Sequence, residues 1–377
     1  MKEKKEVRRQ KQETISIKAE KSRLEVLNRP LLVLLAFFVF WVFAAASAQK
    51  LTVLVHDSFA ISDEVVAEFE NKTGIELEFI AAGDAGQILN KAILTKNNPL
   101  ADVLYGIDNS LLARAQLHNL LLEYESPNLS KVALKYIFDQ SHIVTPIDVG
   151  YVNFNFDLAY FEKNNLELPN DILDLIKEKY QSKTVVEHPA TSSPGLAFML
   201  ATIDRFGESG DYNWLDYWYD LKNNGLLVQD GWTNAYYTAF SRYDGDRPIV
   251  LSYATSPAAE VIFAEEELDK APTGNMFCEK CVYQQIEAAG ILKGSRHVAE
   301  AQEFIDFMLS KSFQDDIPMN MFVYPVTKEA TIPEEFELYS QKPLDAQIAS
   351  LDSELIQEKL RTWLRDWTAV VEQGRKP

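Results

Sequence analysis

Short apolar segments alternate with amphipathic segments from residue 51 onward, and this alternation constrains the fold more than any other feature of the chain. Residues 51–55 (LTVLV) and 75–80 (IELEFI) have the composition and alternation of strands. Between them, residues 62–72 (SDEVVAEFENK) predict an amphipathic helix with a Ser cap that ends before Gly74. A strand, a helix and a second strand in this order predict a βαβ unit.

The same alternation continues to residue 121. Residues 87–95 and 109–121 predict two further helices, and residues 101–105 (ADVLY) predict a third strand between them. Strands that alternate with helices in this way predict an α/β fold with a mostly parallel sheet.

An aspartate follows each of these three predicted strands. The three residues are Asp57, Asp84 and Asp108. Because ligands bind outside the carboxyl ends of strands in open α/β sheets, the three carboxylates together predict a rim that favours a cation. Each aspartate is also placed to cap a helix, and for any one of them alone capping is the better interpretation.

A second lobe is predicted to begin at residues 146–154, an extended segment that contains Asp148. Helices are expected over residues 166–180 and 213–223, with a strand at residues 184–187. The second of these helices is rich in Trp and Tyr.

The turn at residues 191–195 (TSSPG) opens a helix predicted over residues 196–206, with Pro194 suited to the first helical position. Free N–H groups at this helix start, with the hydroxyls of Ser192 and Ser193, would receive a hydroxyl, a carbonyl or a phosphate. A capped helix without a ligand explains the same residues equally well.

An aromatic stretch at residues 228–257 contains the best candidates for a ligand contact. Trp232 follows a Gly turn, and the strand predicted at residues 248–251 runs into the small-residue turn 252–257 (SYATSP). Core packing is the ordinary interpretation of Trp232 and Tyr253. Their position in turns favours contact with a ligand at the end of a strand.

Two more extended segments, residues 283–292 and 320–326, are predicted to cross between the lobes and to form a hinge with residues 146–154. The chain thus divides into lobe 1 (residues 49–148 and 285–321) and lobe 2 (residues 149–284 and 322–377). Helices are expected at residues 299–312 and at the C-terminus. One face of the C-terminal helix carries Leu351, Leu355, Leu360, Trp363 and Trp367.

Residues 1–48 have the pattern of a secretory signal peptide. A basic segment precedes the uncharged residues 31–48, which end in Ala46-Ser47-Ala48. Cleavage after Ala48 is the favoured interpretation, and an uncleaved membrane anchor is the alternative. Of the 37 basic and 56 acidic residues, 27 and 51 follow Ala48, a net charge of −24. Such an acidic surface repels nucleic acid and anionic lipid.

Cys278 and Cys281 are the only cysteines of the chain, and export favours a disulfide between them over a redox site or a free dithiol. No zinc-ligand spacing surrounds the pair, and the five histidines are scattered along the chain. Motifs for a zinc protease, a nucleophile elbow and a P-loop are absent from the sequence. These patterns favour a binding protein over an enzyme.

The chain resembles the thiamine-binding periplasmic proteins of bacterial ABC importers, within the class of two-lobed solute-binding proteins. The resemblance covers nearly all of residues 49–377 and is carried by several motifs. They are residues 56–60 (HDSFA, where the family has Tyr first), 106–109 (GIDN), 191–196 (TSSPGL), 231–232 (GW), 251–257 (LSYATSP), 317–318 (IP) and 324–326 (YPV).

This resemblance implies a two-lobed periplasmic binding protein of type II, with a ligand cleft between the lobes and a multi-strand hinge. The positions that match the family's ligand contacts are Asp84, Ala85, Ser192, Ser193, Trp232, Tyr253, Ala254, Thr255 and Ser256. The chain departs from the family at Phe322, where a Trp is usual, and at Val149 and Ala259, where a Tyr is found.

The same resemblance implies a monomeric periplasmic receptor without a cofactor, which carries thiamine or its phosphates to a membrane permease. Asp84 would take an amino group or balance the thiazolium, and the Ser-rich helix start would receive the hydroxyl or phosphate tail. A receptor for ferric ion or an organophosphonate on the same fold is the alternative. An exported thiamine-related enzyme is a further one.

Overall fold

A single mixed sheet organises the computed structural model, which describes residues 49–377; the predicted signal peptide, residues 1–48, lies outside the described residues. The strands are β1 Gln49–Val55, β2 Ile75–Ala81, β3 Val103–Asp108, β4 Thr145–Asp157, β5 Thr184–Glu187, β6 Leu227–Gln229, β7 Ile249–Tyr253, β8 Thr273–Met276, β9 Val282–Ile291, β10 Tyr324–Pro325 and β11 Ile348–Ala349. Their order is β2-β1-β3-β9-β4-β7-β5-β6, with β8 and β10 paired to β4 and β11 paired to β9.

The helices cover the sheet. They are α1 Asp63–Thr73, α2 Ala85–Leu94, α3 Leu112–Leu117, α4 Leu158–Lys163, α5 Ser193–Phe206, α6 Trp214–Asn223, α7 Trp232–Asn234, α8 Ser256–Ile262, α9 Val298–Met308, α10 Lys311–Asn320, α11 Glu334–Tyr339 and α12 Ser353–Val371. Short 3-10 turns and one π-helical turn, Ala235–Ala239, connect them. Within residues 49–377 no helix is long and apolar enough to span a membrane.

The first βαβ unit forms as predicted. Ser62 caps α1 by accepting a hydrogen bond from the Val65 N–H, and Gly74 ends the helix in the left-handed conformation, with φ at 75°. β1 pairs with β3 in parallel, as do β5 with β6 and β5 with β7. The centre of the sheet is antiparallel, because β9 pairs with both β3 and β4 in that sense. The sheet is therefore more mixed than the sequence predicts.

The prediction of a helix over residues 166–180 is wrong. Two 3-10 turns, Ile172–Asp174 and Glu178–Tyr180, lie there instead. The Asn224 amide donates to the carbonyls of Leu175 and Lys177, at 2.7 and 3.0 Å. A distant side chain thus bonds carbonyls that an α-helix would use internally.

Two other predicted helices have different bounds. The helix expected at 109–121 is reduced to α3, because the Asp108 carboxylate holds the N–H groups of Ser110 and Leu111 in a turn. The helix expected at 299–312 ends earlier, at Met308, and α10 begins three residues later under a Ser310 cap.

The three predicted crossing segments lie side by side. β4 pairs with β9 from Thr145↔Ala289 to Val152↔Tyr283, and β10 pairs with β4 at Val149 and Asp148. All of β4 is buried. Residues 50–377 pack as one compact unit, so the proposed bounds of the two lobes stay a prediction.

Candidate ligand-binding cavity

A cavity of about 760 Å³ lies where the turns that follow several strands meet. Eight of the sequence-predicted site residues line it: Asp57, Asp84, Ser193, Trp232, Tyr253, Thr255, Ser256 and Phe322. Their joint position agrees with the rule that ligands bind beyond the carboxyl ends of strands. A volume of this size is typical of small-molecule sites.

Asp84 is both a helix cap and a wall of the cavity. Its Oδ1 accepts a hydrogen bond from the Ala85 N–H at 2.8 Å, and a capping box with Gln87 completes the start of α2. Its Oδ2 accepts from the Trp232 N–H at 3.1 Å, which ties the two sides of the cavity together. Asp57 is exposed and accepts from the Gly83 N–H at 2.8 Å, so the two turns support each other.

Trp232 is half-buried and is held by its neighbours from two directions. Its ring stacks on Tyr236, with centroids 5.0 Å apart and planes 18° apart. Its Nε1–H donates to Ser252 Oγ at 2.8 Å. The Tyr253 ring lies 6.5 Å away. An indole fixed in this way can receive a flat or cationic ligand without first being ordered.

A buried carboxylate, Glu260, organises the aromatic side of the cavity. The hydroxyls of Tyr236 and Tyr243 both donate to its Oε1 at 2.8 Å. Arg242 Nε approaches its Oε2 at 3.3 Å. Burial and the Glu260 charge raise the pKa of Tyr236 well above its usual value. These rings therefore stay neutral hydrogen-bond donors, and Glu260 keeps them in place.

A second buried carboxylate, Glu287 of β9, belongs to a buried cluster that we call the polar floor: His56, Tyr105, Asp148 and Glu287. His56 and Glu287 line the cavity, whereas Tyr105 and Asp148 lie outside the lining. His56 Nε2 lies 3.5 Å from Glu287 Oε2, the distance of an ion pair without a well-aligned hydrogen bond. The Tyr105 hydroxyl donates to Asp148 and reaches Glu287 at 3.3 Å. Gln285 Nε2 donates to Glu287 Oε1 at 3.1 Å.

The protonation of the polar floor follows from burial and proximity. Burial lowers the pKa of His56 while the Glu287 carboxylate raises it, with a net rise from 6.5 to about 9. Burial and the same carboxylate raise the pKa of Asp148 well above its usual value. At neutral pH the floor therefore holds a protonated imidazole, and burial beside Glu287 favours the neutral form of Asp148.

Five predicted site residues lie outside the lining: Ala85, Asp108, Asp148, Ser192 and Ala254. All five are buried. Burial raises the pKa of Asp108 to about 6, although its hydrogen bonds with Ser110 and Ser193 oppose the rise. Its carboxylate accepts the Ser193 hydroxyl and thereby joins the end of β3 to the start of α5.

The two serines at the start of α5 have different surroundings. Ser193 lines the cavity, and its hydroxyl is donated to Asp108. The Ser192 hydroxyl is buried and finds no hydrogen-bond partner among the residues that the structure describes. The pair thus does not present two hydroxyls to the cavity in this conformation.

The remaining lining residues pack against one another. Thr255 donates its hydroxyl to the Phe322 carbonyl, and Ser256 lies 3.0 Å from Ser252 between hydroxyl oxygens. The Phe322 ring meets Phe263 edge-on, with centroids 4.9 Å apart.

The structure joins Cys278 and Cys281 in a disulfide just before β9.

Sequence reasoning missed Glu287 and Glu260 as parts of the site. A signal existed for Glu287, because it is the one charge in the apolar segment 282–292 (VYQQIEAAGIL). Glu260 lies on α8, where a carboxylate is unremarkable from sequence alone. Among residues 49–377 no cluster of three or more His, Cys, Asp or Glu side chains could hold a metal ion.

Comparison with known proteins identifies relatives over most of the chain. Thiamine-binding periplasmic proteins of Escherichia coli and Salmonella typhimurium are 29% and 28% identical to it over 326 and 332 residues. The alignments cover 85% and 87% of this chain and 93% and 95% of the relatives.

Solved structures show the same fold. A periplasmic thiamin binding protein superimposes with a TM-score of 0.73 and 27% identity, over 85% of this chain and 96% of that one. Iron-bound HitA from Pseudomonas aeruginosa superimposes with a TM-score of 0.65 at 21% identity, over 85% and 99%. These neighbours are two-lobed periplasmic binding proteins, so the predicted fold class is confirmed.

A family profile described as "Bacterial extracellular solute-binding protein" matches residues 98–345. The matched range contains β3, the three crossing strands and the aromatic side of the cavity. The chain belongs to the bacterial extracellular solute-binding protein family.

Proposed function

We propose that this protein captures thiamine in the periplasm and delivers it to the permease of an ABC importer. The observation that carries the proposal is the joint presence of stacked aromatic rings and acidic side chains around one cavity. Five carboxylates line it: Asp57, Asp84, Glu260, Glu265 and Glu287. Only His56 and Arg242 are basic among the lining residues. The names of the relatives point to the same ligand.

Thiamine has the chemistry that such a lining suits. It joins a flat aminopyrimidine to a cationic thiazolium with a hydroxyethyl tail. A cation stacked on Trp or Tyr gains about 0.5–2 kcal/mol when it is desolvated. Two rings, a carboxylate and the exclusion of water would together supply the roughly −12 kcal/mol of nanomolar binding.

The placement of the ligand follows from the charges. Asp84 would accept the pyrimidine amino group or balance the thiazolium, next to the Trp232 ring. The tail, with or without phosphate, would point to Ser193 and the start of α5, whose N–H groups favour an anion. Ser192 lies outside the lining, so Ser193 would be the serine that meets the tail in this conformation.

Binding would close two lobes around the ligand. The proposed lobes are residues 49–148 with 285–321 and residues 149–284 with 322–377, and the protein acts as a monomer. Contacts between them include Asp84 with the Trp232 N–H and Ser58 with Thr233, the latter at 3.5 Å between hydroxyl oxygens. We infer that these contacts belong to a closed state and separate when the cleft opens.

Calorimetry with thiamine tests the proposal. We expect one site per chain, and small-angle scattering should show a monomer that becomes more compact with ligand. Mass spectrometry of the released ligand should return thiamine unchanged, whereas turnover would indicate an enzyme. No heat and no thermal stabilisation with thiamine or its phosphates, together with saturable binding of ferric ion, would favour the iron receptor.

A further inference from the structure

The polar floor contains one close pair of side chains that can carry opposite charges, His56 and Glu287. Both side chains line the cavity, and each residue is only 6% exposed. They come from distant parts of the chain, the turn after β1 and the middle of β9. Opposite charges placed together at the inner surface of a cavity change what that cavity can bind.

The imidazole of His56 has a fixed position. It lies against Gly106, where an added Cβ would come within 2.7 Å of His56 Cδ2. The Tyr105 ring packs beside it, with centroids 5.6 Å apart. The charged and titratable groups around it are Glu287 on β9, Asp148 on β4, Tyr105 on β3 and Asp84 at the start of α2. Among residues 49–377, Glu287 alone is paired with the imidazole at ion-pair distance.

We propose that His56 is a specificity-determining residue. Its charge cancels that of Glu287, and the receptor therefore discriminates only weakly between a cationic and a neutral ligand of the same shape. This inference rests on the proposed function, since it concerns how thiamine's cation is recognised. Asp84 and the aromatic rings then provide the recognition of the cation, and the polar floor provides shape and hydrogen bonds.

The electrostatic contribution to the affinity depends on the sum of the charges near the ligand. A cation in the cavity is attracted by Glu287 and repelled by the protonated His56, so the two nearly cancel. Without the imidazolium, the charge of a cationic ligand would keep Glu287 ionised, whereas beside a neutral ligand the buried carboxyl would tend to take up a proton. At an effective dielectric constant near 20, one charge about 12 Å away changes affinity by about tenfold.

Removing Glu287 has a different consequence. A buried imidazole without its carboxylate partner loses its proton more readily, because burial disfavours the charged form. The floor then changes from a balanced pair to a neutral group, and its net charge stays near zero. The two single substitutions therefore have unequal effects on charge discrimination, although both remove one member of the same pair.

The experiment compares thiamine with its neutral isostere in which a carbon replaces the thiazolium nitrogen. The measured quantity is the ratio of the two dissociation constants at pH 7.5 and fixed salt, for the wild type, His56→Gln, Glu287→Gln and the double variant. We expect His56→Gln to shift the ratio in favour of thiamine by about tenfold. Glu287→Gln and the double variant should stay near the wild-type ratio.

An unchanged ratio in His56→Gln would overturn the inference, as would equal shifts in both single variants. Nitrogen-15 NMR of the wild-type His56 ring tests the pair even if a variant does not fold. We expect both ring nitrogens to be protonated at pH 7.5, and a neutral ring would also overturn the inference. A wild type that binds neither compound would overturn the proposed function, while the NMR result would still decide whether the pair is charged.

Discussion

Two aromatic clusters of this protein have similar composition and different surroundings. The core cluster is Phe198, Tyr217, Trp218 and Trp367, and the cavity cluster is Trp232, Tyr236, Tyr237, Tyr243 and Tyr253. In each, a tryptophan Nε1–H donates to a hydroxyl: Trp218 to Thr202 at 2.9 Å and Trp232 to Ser252 at 2.8 Å. Trp218 is fully buried, whereas Trp232 is half-buried and lines the cavity.

The two tryptophans also differ in how neighbouring rings pack against them. Trp218 meets Phe198 and Trp367 edge-on, at 5.2 and 5.4 Å between centroids. Trp232 stacks nearly flat on Tyr236 and meets Tyr237 edge-on at 5.4 Å. Edge-to-face packing fills space on several sides of a ring, while a stack covers one face. Aromatic content alone therefore does not distinguish a core from a binding surface. The position of the aromatic residues in a long helix or in a turn does.

The largest effect is expected from the core cluster. Trp218→Ala should lower the free energy of unfolding by about 3–5 kcal/mol, because it leaves a cavity among packed rings. Denaturant unfolding measures this loss, and Trp218→Phe should recover much of it. The affinity of the folded fraction for thiamine should change little. A loss of stability below about 1 kcal/mol would contradict the assignment of this cluster to the core.

The next largest effect is a loss of stability with rising pH, and it comes from His56 at the cavity. The pKa of His56 is raised from 6.5 to about 9 in the folded state. Its contribution to stability is therefore complete below pH 6.5 and is lost as pH rises through about 9. At about 1.4 kcal/mol per pKa unit, the loss is about 3 kcal/mol. Chemical unfolding of the unliganded protein at several pH values measures it.

His56→Gln is the control for this pH dependence, since the variant has no imidazole to titrate. Its unfolding free energy should vary less between pH 6.5 and 9 than that of the wild type. Trp218→Phe should keep the wild-type profile. Equal slopes in the wild type and in His56→Gln would show that His56 is not charged in the folded protein.

The sequence predicts the core cluster better than the cavity cluster. Trp214, Tyr217, Trp218 and Leu221 follow the 3.6-residue period of α6, and all four are buried. Trp232 follows a Gly turn and opens a three-residue helix, so its signals are its position in a turn and the family resemblance, not a helical period. Those signals predicted a ligand contact, and the structure places the residue in the lining of the cavity.

The contacts within the polar floor could not be predicted, because they depend on long-range pairing. Asp148 and Glu287 become neighbours only through the register of β4 and β9, in which they are direct partners. Likewise, Asp57 and Asp108 follow strands in the same pattern, yet one is exposed in the lining and the other is buried outside it. The position of a residue in the sequence predicts that its side chain follows a strand at the edge of the sheet. Packing then determines which of these side chains reach the cavity.

A smaller and more selective effect is expected from Trp232→Ala. Thiamine binding should weaken by about 1–3 kcal/mol, because the ligand loses a stacking surface. Stability should fall by only about 1 kcal/mol, since a half-buried ring leaves little empty space. Calorimetry and thermal unfolding of the same preparation measure both. Trp232→Phe should retain part of the binding, and a stability loss as large as that of Trp218→Ala would show a core residue.

The smallest effect separates the two indole hydrogen bonds. Thr202→Val removes the acceptor of Trp218 and leaves a buried N–H unpaired, which should cost about 1–1.5 kcal/mol of stability and leave thiamine affinity unchanged. Ser252→Ala removes the acceptor of Trp232, a residue that is only half-buried and lines the cavity. Its stability cost should be about 0.5 kcal/mol, while affinity falls about threefold because the ring is held less firmly. Denaturant unfolding and calorimetry on both variants measure the four values. The opposite pattern, with affinity lost in Thr202→Val and stability lost in Ser252→Ala, would mean that the two clusters exchange the roles assigned to them.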